Sequence, residues 1–205
     1  EPRIDFKDDA KGALLLEPSR TNKITYSEDF SSWTKTSSTT SLTSSAISTS
    51  SNYTLFETSV LGGNISSAIS STSGIVTFSI YVKKGTAKAI RIRLDAAVDA
   101  NCWVNLESGT EVGSHSGQSL EINSFNNGFY RISFTANVAS LGRIKLYTTE
   151  ATTTIDEIGN INIYGAQLEV GSYATSYIPT SGSVVTRAAD VCSNAVPDGV
   201  IGQTE

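Results

Sequence analysis

Val76-Thr77-Phe78-Ser79-Ile80-Tyr81-Val82-Lys83, set between Gly74 and Gly85, decides the fold. Aliphatic and aromatic residues occupy the even positions, and mostly polar ones the odd. Successive side chains of a strand point to opposite faces, so a period of two marks a half-buried strand. The same pattern recurs on both sides. Upstream, the Leu14-Leu15-Leu16 run reads as a short strand buried on both sides. Downstream, Ile90, Ile92 and Leu94 alternate with Arg91, Arg93 and Asp95, and Cys102, Val104 and Leu106 alternate with Trp103 and Asn105. Leu120 and Ile122 mark a shorter strand. Tyr130, Ile132, Phe134 and Ala136 then alternate with Arg131, Ser133 and Thr135. Ile144 and Leu146 alternate with Arg143, Lys145 and Tyr147, and Asn160 to Glu169 forms the last long strand. Asn126-Asn127-Gly128, between Phe125 and Phe129, is a hairpin turn. Strands at intervals of about 10–15 residues, separated by turn chemistry and without a helical period, define an antiparallel β-sandwich.

Composition agrees. The chain has 205 residues, of which 17% are charged and 39% hydrophobic, a size that suits one large all-β domain or two small domains. Ser and Thr are abundant, as strands and turns favour. Net charge is −5 and the pI about 4.9, which argues against binding to nucleic-acid phosphates. No apolar run approaches the ~18 residues of a membrane helix. The sequence opens at Glu1-Pro2 and contains no Met, so it reads as a piece of something longer. Residues 1–11 are charged and unpatterned, a connector. Residues 12–190 form the sandwich, and 191–205, with the turn Pro197-Asp198-Gly199, a linker or the start of another module. Between Ser31 and Thr54, seventeen of twenty-four residues are Ser or Thr, which reads as an exposed excursion with one or two edge strands. Cys102 lies in a strand and Cys192 in a polar tail, a placement that does not favour a disulfide between them.

Two longer strings frame the chain. Gly12 to Asn22 reads GALLLEPSRTN, followed by Tyr26-Ser27-Glu28-Asp29-Phe30 and Trp33. Ile161 to Val191 reads INIYGAQLEVGSYATSYIPTSGSVVTRAADV. In this order and separation they resemble the jelly-roll domain of many bacteriophage tail-fibre and head-fibre proteins, a pattern shared with some bacterial surface proteins of carbohydrate-binding-module type. The resemblance implies a sandwich of jelly-roll type on a virion, outside the cell, beside neighbouring fibre modules and assembled as a homotrimer. The rival contexts are a carbohydrate-binding module of a secreted polysaccharide-degrading enzyme and a structural spacer or capsid decoration. Glu17, Arg20, Glu169 and Arg187 lie in the two strings, and are expected to pair or bind backbone where first and last strands meet.

Little in the chain speaks for catalysis. The single histidine, His115, sits in the loop Gly113-Ser114-His115-Ser116-Gly117. No nucleophile elbow, zinc-binding helix or phosphate loop is present. The acidic doublets Asp8-Asp9, Glu28-Asp29 and Asp156-Glu157 read as solvated or capping charges, because neighbours on a strand point apart. The chain is therefore expected to have no enzymatic activity and no cofactor. A structural calcium at Glu17, Asp156 or Glu169 lacks the usual Asp/Asn cluster. The constellation with most content lies opposite the aliphatic positions. Arg91, Arg93, Trp103, Asn105, Arg131, Arg143, Lys145 and Tyr147 are expected to share one polar sheet face carrying two aromatic rings. Sugars stack on such rings, and planar Arg and Asn side chains hydrogen-bond hydroxyls or carboxylates. The basic residues favour an anionic surface polysaccharide. Trp33 is expected in the core.

Overall fold

The computed structural model describes residues 3–5, 13–48, 51–113, 118–152 and 156–191. His115, Cys192, Asp8, Asp9 and the tail with Pro197 lie outside them. The chain divides into two compact units, Thr21–Thr186 and the terminal stretches Glu1–Arg20 with Arg187–Glu205.

In the terminal unit, β1 (Arg3–Asp5) pairs antiparallel with β2 (Ala13–Leu15). The expected connector thus contains a strand. Leu16 is exposed, so the Leu14–Leu16 run is not buried throughout. Strand periodicity cannot distinguish a three-residue run covered on both faces from one covered on a single face. Glu17 and Arg187 form an ion pair at 2.8 Å. The Asp190 N–H donates to Glu17 O, and the Glu17 N–H to Asp190 Oδ2, both at 2.9 Å. A charge buried as deeply as Glu17 needs such a partner.

The larger unit is an all-β antiparallel sandwich. Its strands are β4 (Thr34–Thr36), β5 (Ser38–Ser48), β6 (Ser51–Thr58), β7 (Asn64–Lys84), β8 (Ala89–Asp95), β9 (Ala100–Asn105) and β10 (Thr110–Glu111). They continue as β11 (Gln118–Phe125), β12 (Phe129–Thr149) and β13 (Asn160–Val170). Hydrogen bonding links them in the order β10-β9-β8-β12-β7-β13-β6-β5, with β11 on β12 and β4 on β7. β3 (Arg20–Asn22) and β14 (Val185–Arg187) pair separately.

β7 and β12 are 21 residues each and serve two layers. Residues 74–82 of β7 face 130–138 of β12, whereas 64–68 face 143–147, and the register slips between Val138 and Arg143. Gly74 (φ 99°) and Ser140 (φ 55°) adopt positive φ at this bend. Only the later part of β12 meets β8, and only its earlier part meets β11. One layer is therefore β10-β9-β8 with the far end of β12, the start of β7, and β4. The other is β11 with the start of β12, the end of β7, β13, β6 and β5.

A large apolar core joins the layers. Ile65, Ile90, Ile92, Cys102, Val104 and Leu146 come from the first, and Phe56, Phe78, Ile80, Phe134, Ile163 and Leu168 from the second. Each such burial contributes on the order of 1.5–3 kcal/mol. Trp33 belongs to this core and donates its indole N–H to Tyr26 O at 2.9 Å. The Ser/Thr-rich segment supplies β4, β5 and the first half of β6.

Candidate functional site

The sheet face of the first layer collects most of the expected residues. Register places Trp103 opposite Arg91, Arg91 opposite Tyr147, and Tyr147 opposite Asn64, one row across four strands. The next row holds Asn101, Arg93, Lys145 and Ser66. Arg143 lies beyond, opposite Asp95, and is exposed. Asn105 stands at the near end of β9, where its Oδ1 accepts the N–H groups of Glu107 (2.8 Å) and Ser108 (3.2 Å). It orders a turn.

Cations and carboxylates interlock on this face. The Arg91 guanidinium lies 3.8 Å from the Tyr147 ring centroid and 3.5 Å from Asp156 Oδ1. Arg93 reaches Asp95 at 3.1 Å and Asp99 at 2.6 Å, and Lys145 reaches Asp95 at 2.8 Å. The hydrogen bond from Lys145, and then that from Arg93, hold the Asp95 carboxyl below the usual carboxylate range. Tyr147 is 7% exposed, so it is the platform under Arg91, and Trp103 is half-buried beside that pair.

Arg131 is not on this face. The bend in β12 carries it into the other layer, opposite Tyr81, where Nη2 donates to Thr175 O at 2.5 Å. Alternation alone keeps Arg131 and Arg143 in phase, but the register slip between them moves the strand from one layer to the other.

The outer side of the second layer carries groups that sequence reading left apart. Gln167 and Glu169 are fully buried. Glu169 accepts from Gln167 Nε2 (2.7 Å) and from Thr175 N (3.0 Å), and Gln167 Oε1 accepts from Ile178 N at 2.6 Å. They pin the tyrosine-rich loop to β13. Asn22 binds the same region from the opening string. Its Nδ2 donates to Ala166 O and Ile178 O, and its Oδ1 accepts from Ile24 N and Leu168 N. Among the carboxylates considered for calcium, Glu17 is thus held by Arg187, Asp156 by Arg91 and Glu169 by Thr175.

Next to this scaffold, Tyr81, Tyr164 and Tyr177 pack ring against ring, with centroids 5.6–6.3 Å apart. Glu28 Oε1 accepts from Tyr164 OH at 2.9 Å and Tyr177 OH at 3.1 Å. Burial pushes the Tyr177 phenol up, out of its ordinary range. Asp29 caps the short 3-10 turn Phe30–Ser32, accepting from Ser31 N and from the Ser31 and Ser32 hydroxyls. Those hydroxyls hold its carboxyl below the usual range. Glu28 and Asp29 together line an open cleft of about 500 Å³, walled on the other side by Thr40, Ser41 and Leu42 of β5 and by Asn52 and Thr54 of β6. The only sequence signal was the Tyr26–Phe30 string itself.

Fold and faces describe an antiparallel sandwich with a polar sheet face and a separate acidic cavity. No protein-family model matches the chain, and no curated protein does. Among solved structures the chain is similar to the enzymatically active domain of tailspike protein 4 from bacteriophage CBA120. The TM-score is 0.45 and the identity 13%, over 75% of this chain and 21% of that one. The chain thus spans about a fifth of that protein's length. The expectation of a chain without enzymatic activity is corrected on this finding, because the similar domain is described as enzymatically active. Asp29 of the Glu28-Asp29 doublet caps a turn as expected, and both residues also line the cleft. Among the described residues no helix is long and apolar enough to cross a membrane.

Proposed function

We propose that this chain is a glycan-binding module of a bacteriophage fibre or related virion appendage, of jelly-roll type, that engages surface polysaccharide outside the cell. The reading is carried by one observation, the row Trp103–Arg91–Tyr147, in which the Arg91 guanidinium lies 3.8 Å from the Tyr147 ring centroid and Trp103 stands opposite Arg91 on the neighbouring strand. Trp103 offers a stacking surface for the C–H face of a sugar. Arg91, immobilised on Tyr147 and by Asp156, offers planar donors to ring hydroxyls or a carboxylate. Arg93, Asn105, Arg143 and Lys145 border the row. Because Arg91, Arg93 and Lys145 already hold carboxylates, the selectivity rests on donor geometry more than on net charge. Neighbouring fibre modules and assembly as a homotrimer belong to the same proposal.

The test is a glycan array followed by titration of the retained glycan. Trp103→Ala is expected to weaken binding by about 5- to 150-fold, the equivalent of ~1–3 kcal/mol, with the thermal transition nearly unchanged. Tyr147→Ala is expected to lower both binding and stability, since the ring is buried beneath Arg91. Unfolding by Trp103→Ala, or an array with no retained glycan, defeats the reading. A reducing-end assay on the bound polysaccharide separates capture from cleavage.

A further inference from the structure

The cavity beside Glu28 is a second candidate ligand site, in the layer that does not carry Trp103. One wall is the turn bearing Glu28, Asp29 and Ser31, and the other is the β5–β6 hairpin. Its polar groups are unevenly used. Glu28 Oε1 is occupied by two tyrosine hydroxyls, while Oε2 accepts no hydrogen bond from any described residue. Asp29 spends both oxygens on Ser31 and Ser32, and its lowered range keeps it charged at neutral pH. Thr40 Oγ1 is buried without a hydrogen-bond partner. Asn52 is exposed, and its amide bonds to no described residue. Leu42 stands 71% exposed amid these hydroxyls.

A concave site of this size with a few convergent polar groups suits a small ligand. The two carboxylates outnumber the one neighbouring cation, Lys35, whose ammonium is already taken by Ser31 O, so an anion is disfavoured. The complement is a molecule rich in hydroxyl donors, uncharged, with an apolar face for Leu42. We infer that this cleft binds an uncharged saccharide unit, with a sugar hydroxyl donating to Glu28 Oε2, another meeting Asn52, and the C–H face on Leu42. The inference does not rest on the Trp103 face, and the two sites differ in critical residue.

The experiment titrates the ¹⁵N-labelled full chain with neutral oligosaccharides of glucose, galactose, mannose and N-acetylglucosamine, and separately with sialyllactose. At least one neutral oligosaccharide is expected to shift the amides of Thr40–Leu42 and Asn52–Thr54, and sialyllactose to leave them in place. Glu28→Gln and Asn52→Ala are each expected to weaken that binding by about tenfold, and Trp103→Ala to leave it unchanged. Asn52→Ala removes an exposed side chain, so it reports on binding even where Glu28→Gln disturbs the tyrosines. The inference is overturned if no neutral oligosaccharide shifts these amides at tens of millimolar, if sialyllactose is preferred, or if Asn52→Ala has no effect. It is also overturned if Trp103→Ala abolishes the shifts. Retained shifts with a failed array at the Trp103 face would sink only the earlier proposal.

Discussion

At the scale of single residues, the two framing strings are explained by what Asn22 does. Its one amide satisfies four backbone groups on three segments, all buried. Asn22→Ala strands those groups away from water, and the loss is expected to be at least about 3 kcal/mol, read as a lower urea midpoint. Asp95 supports a pH prediction. Its folded pKa is depressed, by Lys145 first and then Arg93, so its contribution is present above the ordinary carboxylate pKa and is lost as pH falls through the depressed value. Partial exposure of the pair limits the size of the effect. Urea midpoints at pH 6 and pH 3 are expected to fall further apart in the wild type than in Asp95→Asn. Residue types were legible in the sequence and their partners were not. Arg91, Arg93 and Trp103 announced a polar face, but nothing in the order of residues revealed that Asp95, Asp99 and Asp156 would neutralise most of its charge.

At the scale of elements, β13 shows how one glycine redirects a strand. Tyr164 pairs with Tyr81 but Gln167 with Ser79, so β13 carries one residue more than its partner between these points. Gly165 sits in that bulge with φ 62°, and a Cβ there would meet Tyr81 at 3.1 Å and Tyr177 at 3.3 Å. A one-residue slip exchanges the two faces of a strand. Before the bulge, odd-numbered Ile161 and Ile163 enter the core; after it, even-numbered Leu168 does. Gln167 and Glu169 are thereby turned outward to hold the loop. Gly165→Val is expected to cost at least about 2 kcal/mol from backbone strain and overlap, and to broaden the Tyr81, Tyr164 and Tyr177 ring resonances. Strand positions were legible because alternation survives within each straight run. Bulges were not, since an isolated glycine in a strand pattern fits either a bulge or a close contact. For the same reason alternation places Arg131 on a face that β12 joins only after Ser140. The Ser/Thr-rich stretch had too few apolar residues to show its pairing, so the wall it builds beside Glu28 was invisible.

At the scale of the whole molecule, the sandwich class was readable from spacing and composition alone, whereas the order of its strands was not. Contacts between residues far apart in the chain, such as Thr58 with Thr148 at 2.6 Å, depend on register that no local pattern encodes. The homotrimer belongs to this scale too. Light scattering on the purified chain is expected to give three times the 21.7 kDa chain mass, and a monomer at all concentrations would remove that part of the proposal.

One contact also bears on what such a module can contribute to a long appendage. Thr21 and Thr186, at the two ends of the sandwich unit, touch through their hydroxyls at 2.7 Å. Paired strands lie only about 5 Å apart. A link that lengthens a rod must take the chain in at one pole and release it at the other. This unit takes the chain in and releases it at the same spot, so the 166 residues from Thr21 to Thr186 add almost no reach between their own two ends.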